Sequence, residues 1–479
     1  MKFYNTYSKT EENFDPGKKE ILMYNCGPTV YSFATIGNFA TFLTNDFLKR
    51  YLEFKGYQVK QIMNITDVGH LTSDADDGED KIIKKAREEG KTPEEIARFF
   101  EKQFFLDLKK LNFSLANKYP RATDHVQEMI VIIKELINKG YAYEKDGTVY
   151  YDISKFEDYG NLSGNTPEKL EEEVREAVVK DSNKKSPHDF VLWVKAPEKH
   201  LMKWDSPWSK GYPGWHLECS AMAKKYLGPT IDIHTGGEDN IFPHHEAEIA
   251  QSEAANGTKF VNLWLHRRHI LVDGTKMSKS KGTIYTISDL EKLGYDPLVY
   301  RFFIFGTHYR SKAHFSFANL DNVKKGLQRV IDFIGRLKRI ENTAGTNLEA
   351  MALIEQAEDN FDKALANDLN TPEALAVIYD FISKTNQFID QGKINREEAK
   401  RSVDLLRKLD QVVGLFFLYL EKSQANIPDK IQILLDKREA ARQSKDFDLS
   451  DSLREEIEKE GFALKDTASG QEIMRGNTE

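Results

Sequence analysis

Two cysteines, a histidine and a glutamate are the first side chains in this sequence that could act together chemically. His244 and Glu248 stand four residues apart, and Pro243 suits the first turn of a helix that would place both on one face. With the thiolate of Cys219 they would make a zinc-like ligand set. Cys26 can join only if the fold brings it to Cys219. The residues alone equally allow two unrelated buried thiols and a surface histidine pair.

The composition is typical of a globular protein, and the low cysteine content is typical of a reducing compartment. The chain has 479 residues, 40% hydrophobic and 30% charged, which suggests roughly two to four domains. A net charge of −8 argues against a chain-wide nucleic-acid surface but allows local basic patches. Two cysteines give no disulfide framework, so we expect a cytoplasmic protein. No run approaches ~18 apolar residues and the N-terminus has no apolar signal core, so we expect neither membrane insertion nor secretion.

The N-terminal part predicts a strand, a helix and a second strand. Residues 21–25 form a short apolar run, residues 39–52 carry apolar side chains at helical spacing, and Gly56 ends that pattern. Residues 57–65 alternate like a strand. Such a unit implies a parallel sheet, whose ligands bind beyond the carboxyl ends of the strands. We therefore expect a nucleotide pocket at residues 34–38, although the spacing matches neither a dinucleotide fingerprint nor a P-loop.

Other segments differ in composition from this unit. The acidic residues 69–80 lack the spacing and final glutamate of a calcium loop, which favours a solvated surface loop. Residues 81–140 predict helices, with an N-cap at Thr92. Residues 141–210 mix short strands and polar turns, as an insertion between two halves of a nucleotide fold would. The sequence Lys-Met-Ser-Lys-Ser at residues 276–280 is a basic loop whose lysines suit phosphate binding.

Five motifs together carry a family resemblance. They are Tyr-Asn-Cys-Gly-Pro-Thr-Val-Tyr at 24–31, Asn-Ile-Thr-Asp at 64–67, Gly-Trp-His-Leu-Glu-Cys-Ser-Ala-Met at 214–222, the segment 242–251 that begins Phe-Pro-His-His-Glu, and 276–280. In this order the chain resembles the cysteinyl-tRNA synthetases, a family of class I aminoacyl-tRNA synthetases, over nearly its whole length. The resemblance implies an α/β fold: a Rossmann-like catalytic domain with an inserted connective region, followed by an all-helical anticodon-binding domain.

The resemblance also implies domain boundaries. The two halves of the catalytic domain are expected at residues 1–115 and 211–260, on either side of the connective insertion at 116–210. A region with the Lys-Met-Ser-Lys-Ser loop and stem contacts follows at 261–318. A helical tRNA-binding bundle is expected at 319–425 and an anticodon-recognition hairpin at 426–479.

One zinc ion per subunit is implied by the family's ligand pattern. The matching positions are Cys26, Cys219, His244 and Glu248. A thiolate is a far better zinc ligand than a hydroxyl. A direct zinc–sulfur bond would therefore separate cysteine from serine by the ~10⁴–10⁵ that other synthetases reach by editing. Matching positions in the amino-acid pocket are Thr66, Trp215 and His234.

Nucleotide binding and catalysis are likewise assigned by the resemblance. The expected ATP-binding residues, acting with Mg²⁺, are Gly37, Gly236, Gly237, Asp239 and Lys279. The expected catalytic residues are Lys276, Lys279, Thr35 and Asn38. Thr35 departs from the family, which has a histidine there that donates to phosphate. Losing such a donor costs about 10²–10³ in rate, so another group covers the role, adenylation is slow, or the task has changed.

The C-terminal part predicts amphipathic helices at 323–337, 353–365 and 374–388, the last opened by an N-cap at Thr371, and a helical hairpin at 427–461. The family's anticodon contacts match Arg442, Phe447, Asp451 and Asp466. The expected function is cysteine–tRNA ligation by a monomer, with tRNA(Cys), ATP and L-cysteine as partners. Two alternatives stay open: a ligase that joins cysteine to a small amine, and a synthetase-like regulator whose adenylation is weakened at Thr35.

Overall fold

The computed structural model describes residues 1–69, 80–166, 169, 183–277, 282–343, 345–425, 428–460, 462–467 and 470–475. Residues 70–79, with most of the acidic stretch, and residues 278–281, with Lys279, lie outside this set. The chain forms two compact units. The first consists of Met1–Val323 and Asn360–Ala376, and the second of Lys324–Asp359 and Val377–Glu479.

The elements are numbered in chain order. The strands are β1 (Lys2–Asn5), β2 (Thr10–Asn13), β3 (Glu20–Asn25), β4 (Gln58–Met63), β5 (Ala142–Lys145), β6 (Thr148–Tyr151), β7 (Phe190–Lys195), β8 (Gly211–Pro213), β9 (Ile231–Gly237), β10 (Val261–Arg267), β11 (Ile270–Val272), β12 (Thr275–Lys276), β13 (Ala313–Phe315), β14 (Phe462–Thr467) and β15 (Gly470–Arg475). The α-helices are α1 (Ile36–Phe54), α2 (Lys81–Glu89), α3 (Pro93–Lys110), α4 (Val126–Asn138), α5 (Leu217–Leu227), α6 (Glu246–Asn256), α7 (Ile287–Lys292), α8 (Pro297–Phe305), α9 (Phe317–Lys338), α10 (Leu348–Ala366), α11 (Thr371–Asp390), α12 (Arg396–Val413), α13 (Phe416–Ala425), α14 (Asp429–Gln443) and α15 (Phe447–Lys459). Among the described helices, none has the length and apolar character needed to cross a membrane.

A four-stranded parallel sheet lies at the centre of the first unit, in the order β10, β9, β3, β4. β3 pairs with β4 on one side and with β9 on the other, where Asn25 lies beside Thr235. The predicted strand–helix–strand unit is therefore present, with α1 as the crossover. From β3 the chain continues to β4 on one side of the sheet, and from β9 it continues to β10 on the other side. The strand order therefore reverses between β3 and β9. Ligands bind at such a reversal, beyond the carboxyl ends of the strands.

Helix α1 extends beyond both ends of the predicted range of residues 39–52, and its first turn is capped. The Thr35 hydroxyl accepts a hydrogen bond from the Asn38 N–H (3.3 Å), and the Asn38 side-chain oxygen accepts one from the Thr35 N–H (2.9 Å). This reciprocal pair is a capping box. Thr35 therefore has a structural role at the start of the helix, and the helix begins at the nucleotide pocket predicted for residues 34–38.

The insertion contains an antiparallel sheet in the order β5, β6, β7, β8. Its last strand lies just past residue 210, where the insertion was expected to end. The helices predicted before it are present, and Thr92 caps α3 with Glu95 in a second capping box. Asp80 does not lie in a solvated surface loop, which was the expectation for residues 69–80. It is buried, accepts from the N–H groups of Gly69 and Ile82 at 2.8 Å each, and caps α2.

The helix predicted to begin at Pro243 has an irregular first turn, and His244 and Glu248 lie on one face of it as predicted, with 2.9 Å between His244 Nε2 and Glu248 Oε1. Phe242 has an extended backbone (φ −137°, ψ 136°), which a helix cannot contain, and residues Ile241–His245 form a wide, irregular turn. Regular helix starts at Glu246. The predicted N-cap at Thr371 is also displaced, because Thr371 is already helical and the side chain of Asn370 accepts from the Glu373 N–H (3.2 Å).

The second unit is mainly helical and ends in a structure that the helical periodicity did not reveal. Helices α14 and α15 form the predicted hairpin. Beyond them, β14 and β15 pair as an antiparallel β-hairpin. Apolar side chains of both helices and of β14 share a small core, formed by Ile431, Leu434, Leu435, Leu453, Ile457, Phe462 and Leu464. The sequence predicted an all-helical region here, and the structure adds one β-hairpin to it.

A buried ion pair on α1 yields a stability prediction. Asp46 accepts from Arg301 (2.7 Å) and Arg50 (2.8 Å), and Arg301 is fully buried. Asp46→Asn would leave the Arg301 charge without its partner, so we expect a loss of about 3–5 kcal/mol in the free energy of unfolding, measured by urea titration. The matched control is Asp205→Asn, whose exposed carboxylate faces Lys210 at 3.8 Å and should leave the midpoint unchanged. Equal losses in both variants would contradict the assignment.

Candidate functional site

A cleft of about 360 Å³ opens at the reversal in strand order. Cys26 follows β3 directly, Gly237 ends β9 and Arg267 ends β10. The cleft is lined by residues from these strand ends, from the start of α1 and from the segments before α5 and α6. They include Cys26, Thr35, Gly37, Asn38, Thr66, Trp215, Gly237, Asp239, His244, Arg267 and Met277.

Four predicted ligands lie together at the base of the cleft. The Cys219 sulfur is 3.6 Å from His244 Nε2, which is 2.9 Å from Glu248 Oε1, and that oxygen is 3.9 Å from the Cys26 sulfur. All four side chains are buried, and their donor atoms lie within 4.8 Å of one another. Donor atoms around one tetrahedral zinc ion stand roughly 3.3–3.8 Å apart. The cluster is a possible metal site.

A second donor set overlaps the first. Cys26 and Glu248 also lie within 4.8 Å of donor atoms of His234 and His245. His245 Nε2 is 3.1 Å from the Cys26 sulfur, and its Nδ1 is 2.7 Å from His266 Nε2. Imidazoles therefore continue from the cleft base into the interior, and the site contains more nitrogen donors than the sequence motifs indicated.

Charge within the cluster is concentrated on one ion pair. Burial alone would raise the pKa of Glu248, but His234 and His244 outweigh it and lower that pKa to about 2. Burial alone would lower the pKa of His244, but the Glu248 carboxylate outweighs it and raises that pKa to about 10. Burial raises the pKa of the Cys219 thiol. A cation between these groups would favour the thiolate forms.

The three residues predicted for the amino-acid pocket border this cluster. The Trp215 ring stacks on His244 with 4.6 Å between ring centroids. Thr66 is buried and donates its hydroxyl hydrogen to Glu218 (2.8 Å). His234 lies deeper, where its Nε2 is 2.8 Å from Glu248 Oε2. The structure thus brings Trp215 and Thr66 to the cleft wall, whereas His234 contacts the ligand cluster from behind.

Glycines allow two close approaches in the predicted nucleotide region. A Cβ at Gly37 would lie 2.3 Å from the terminal methyl of Met277, and a Cβ at Gly236 would lie 2.6 Å from a ring carbon of His245. The second contact involves a fully buried ring. Gly236 therefore lets the His245 ring pack directly against β9.

Three further residues were predicted for ATP binding or catalysis: Asp239, Lys276 and Lys279. Asp239 lies 3.1 Å from His269 and is largely exposed at the cleft. The backbone of Lys276 belongs to β12, which pairs with β11. Lys279 lies outside the described residues.

The residues predicted to contact the anticodon lie in the second unit, and one of them, Asp466, is surrounded by arginines. Asp466 on β14 accepts from Arg438 (2.9 Å), Arg454 (3.1 Å) and Arg442. Arg438 is buried and also donates to the Ser450 carbonyl (3.2 Å). The arginines thereby join both helices to the β-hairpin.

Phe447 is the first residue of α15 and is 65% exposed, which is unusual for a phenylalanine. Asp451 is exposed one turn later on the same helix. These two side chains are exposed, and Asp466, although paired with three arginines, keeps part of its carboxylate exposed as well.

Sequence reasoning missed three functional neighbours: His245, Glu218 and Arg438. His245 adjoins a predicted ligand, so the His-His pair was a usable signal. Glu218 adjoins Cys219 within a quoted motif, but its contact with Thr66 depends on long-range folding. Arg438 has no local pattern that predicts its burial.

Comparisons with known proteins agree over the whole chain. Residues 13–325 match the family model described as tRNA synthetases class I (C) catalytic domain, and residues 360–417 match a DALR domain. The chain is 42% identical to Cysteine--tRNA ligase of Protochlamydia amoebophila over 99% of its length and 98% of that protein. It is 41% identical to Cysteine--tRNA ligase of Clostridioides difficile, over 99% of this chain and 100% of that protein. The chain belongs to the cysteine–tRNA ligase family. The predicted family and fold class are confirmed.

A solved class I synthetase shares the fold. Methionyl-tRNA synthetase of Mycobacterium tuberculosis, in complex with methionyl-adenylate, superposes with a TM-score of 0.61 over 87% of this chain and 94% of that one, at 15% identity. At that identity the likeness concerns architecture alone. This chain therefore has the fold of a class I synthetase.

The packing at Gly236 predicts different effects for two neighbouring substitutions. Gly236→Ala would force its methyl into His245, so we expect destabilisation of about 1–3 kcal/mol, seen as a lower melting temperature. At Gly237 the nearest atom to an added Cβ is 3.5 Å away, so Gly237→Ala is the matched control and should melt close to the wild type. Equal melting of both variants would contradict the contact.

Proposed function

We propose that this chain attaches L-cysteine to tRNA(Cys) in two steps at the cleft. A cysteine carboxylate oxygen attacks the α-phosphorus of ATP, and the bond from that phosphorus to pyrophosphate breaks. A terminal ribose hydroxyl of the tRNA then attacks the carbonyl carbon of the adenylate, and AMP leaves. The observation that carries the proposal is the buried pair of cysteines, with His244 and Glu248, at the base of a class I cleft.

The donor set fits zinc, and we assign one ion to Cys26, Cys219, His244 and Glu248. Both overlapping sets have suitable spacing, but this one contains two sulfur atoms, and soft ligands select zinc. His234 bonds to Glu248 from outside the set, which would fix the ligand's orientation. Bound there, zinc would supply a direct bond to the substrate thiolate. Trp215, stacked on His244, would cover the cysteine side chain.

The ATP side of the cleft is assigned to glycines, Asp239 and the lysines of residues 276–280. Gly37 and Gly237, which line the cleft, would permit close approach of the nucleotide, whereas Gly236 would act from behind through its packing on His245. Asp239, exposed at the cleft, is assigned to the ribose. Lys276 and Lys279, with Mg²⁺, would stabilise the charge that moves onto pyrophosphate.

Thr35 and Asn38 are assigned to placing the start of α1. The hydroxyl of Thr35 donates to the Asn38 oxygen (2.8 Å), so its hydrogen is already used within the capping box. Asn38 presents its oxygen to Thr35 and so keeps its amide N–H groups for a ligand. We therefore do not give Thr35 the phosphate contact that histidine makes in the family.

The tRNA would be recognised by the second unit. Phe447 offers an exposed ring for stacking, and Asp451 and Asp466 offer carboxylates to base amino groups. The relatives are cysteine–tRNA ligases over their full length, so transfer to a small amine or a purely regulatory role is not favoured. We propose a cytoplasmic monomer, since the donor set comes from a single chain and both cysteines are free thiols.

Metal binding and amino-acid selection should fail together. We expect one zinc per wild-type chain by elemental analysis, and ATP–pyrophosphate exchange that favours cysteine over serine by ~10⁴ or more. Cys219→Ser should lose the zinc and most of that preference. Ser252→Ala, on the same helix as Glu248, removes a buried hydroxyl that lacks a partner in the described part of the chain and should keep both. Full zinc content with unchanged selectivity in Cys219→Ser would refute the site.

Anticodon recognition should be separable from activation. Phe447→Ala removes a ring that would stack on a base, so we expect kcat/KM for charging tRNA(Cys) to fall by about 10–100-fold, while cysteine-dependent exchange stays unchanged. The control is Ile433→Ala on α14, another exposed apolar side chain of the same hairpin. Normal charging by Phe447→Ala would exclude this ring from recognition.

A further inference from the structure

The guanidinium of Arg267 is a buried cation without a matching anion. Arg267 ends β10, pairs in register with Gly237 and is 3% exposed. Its Nη1 donates to the Thr44 hydroxyl on α1 (3.0 Å). Its Nε and Nη2 have no hydrogen-bond partner among the described residues. Leaving a buried charge unpaired is costly, so such a group needs an explanation.

Nearby groups do not neutralise this charge. Asp46, the buried carboxylate of α1, is held by Arg50 and Arg301. The phenol of Tyr300 lies close, but burial raises its pKa, so it is neutral at pH 7. Burial also lowers the pKa of Arg267 to about 10, which still leaves it charged at pH 7. The free donors therefore suit an anion that arrives with a ligand.

Arg267 is also placed where such a ligand would be. It lines the cleft with Gly37, Gly237 and Asp239, three of the positions assigned to ATP. Lysines of the basic loop lie on a separate segment, so Arg267 adds a cation from the sheet itself. We infer that Arg267 binds a phosphate group of the nucleotide during cysteine activation. This inference rests on the proposed function, which makes ATP the nucleotide.

In this assignment Arg267 makes the phosphate contact that Thr35 cannot make, because the Thr35 hydroxyl is engaged in the capping box. Guanidinium groups donate two parallel hydrogen bonds to phosphate oxygens and stay charged when desolvated. As the α-phosphorus–oxygen bond breaks, negative charge grows on the departing pyrophosphate. A fixed cation beside it lowers the barrier without reorganisation.

The test separates phosphate binding from structural support. Arg267→Met should lower cysteine-dependent exchange by roughly 10²-fold. It should also lose the rise in melting temperature that Mg-pyrophosphate gives the wild type, while the shift given by adenosine persists. Without ligand it should melt at or above the wild-type temperature, because an unpaired buried charge has been removed. Arg267→Lys, which keeps the charge, should be intermediate.

Controls make each outcome decisive. Arg268→Met removes the neighbouring, largely exposed guanidinium, which faces Glu238 at 3.7 Å, and should reduce the pyrophosphate shift less. If Arg267→Met does not fold, Arg267→Gln keeps a donor for Thr44 and carries the same expectations. Unchanged exchange and pyrophosphate shift, or a loss confined to adenosine, would overturn the inference. Absence of cysteine-dependent exchange in the wild type would instead refute the proposed function, and the pyrophosphate shift would still test Arg267.

Discussion

The reversal of strand order between β3 and β9 is the constraint on which the site depends. It brings the loop after β3 against β9, where the Cys26 N–H donates to the Thr235 carbonyl (3.2 Å). This bond fixes the Cys26 sulfur donor beside β9, the strand that carries His234 and leads into the turn with His244. Neighbouring parallel strands end at the same edge of a sheet, so residues distant along the chain meet there. The donor cluster is thus a consequence of topology.

The cluster itself is held together by one buried carboxylate. Glu248 accepts from His234 on β9 and from His244 in the irregular turn, and both contacts are close to 2.9 Å or shorter. A carboxylate in this position would be costly without such partners. The irregular turn before α6 matters here, because it presents His244 and His245 in different directions, one toward Cys219 and the other toward Cys26.

Local signals predicted the frame well. Apolar periodicity gave β3, α1, β4 and the helical hairpin, and the capping residue Thr92 was recognisable from its neighbours. The joining of Cys26 to Cys219 came from the family resemblance, since spacing alone left it open. The burial of Asp80, the three arginines around Asp466 and the unpaired Arg267 were not predicted. These features depend on contacts between segments that are distant along the chain. The hairpin of β14 and β15 was missed because β14 contributes only two apolar side chains to the core, Phe462 and Leu464, and two alternating positions are too few to predict a strand.

The capped start of α1 limits what this helix can offer an anion. A helix N-terminus usually presents several free N–H groups. Here the Ile36 N–H donates to the Tyr285 carbonyl (2.9 Å) and the Asn38 N–H to Thr35. Of these first three amides, Gly37 alone has no backbone or side-chain acceptor among the described residues. An anion at this end of the helix would meet a single main-chain donor, so side-chain cations must provide most of its neutralisation.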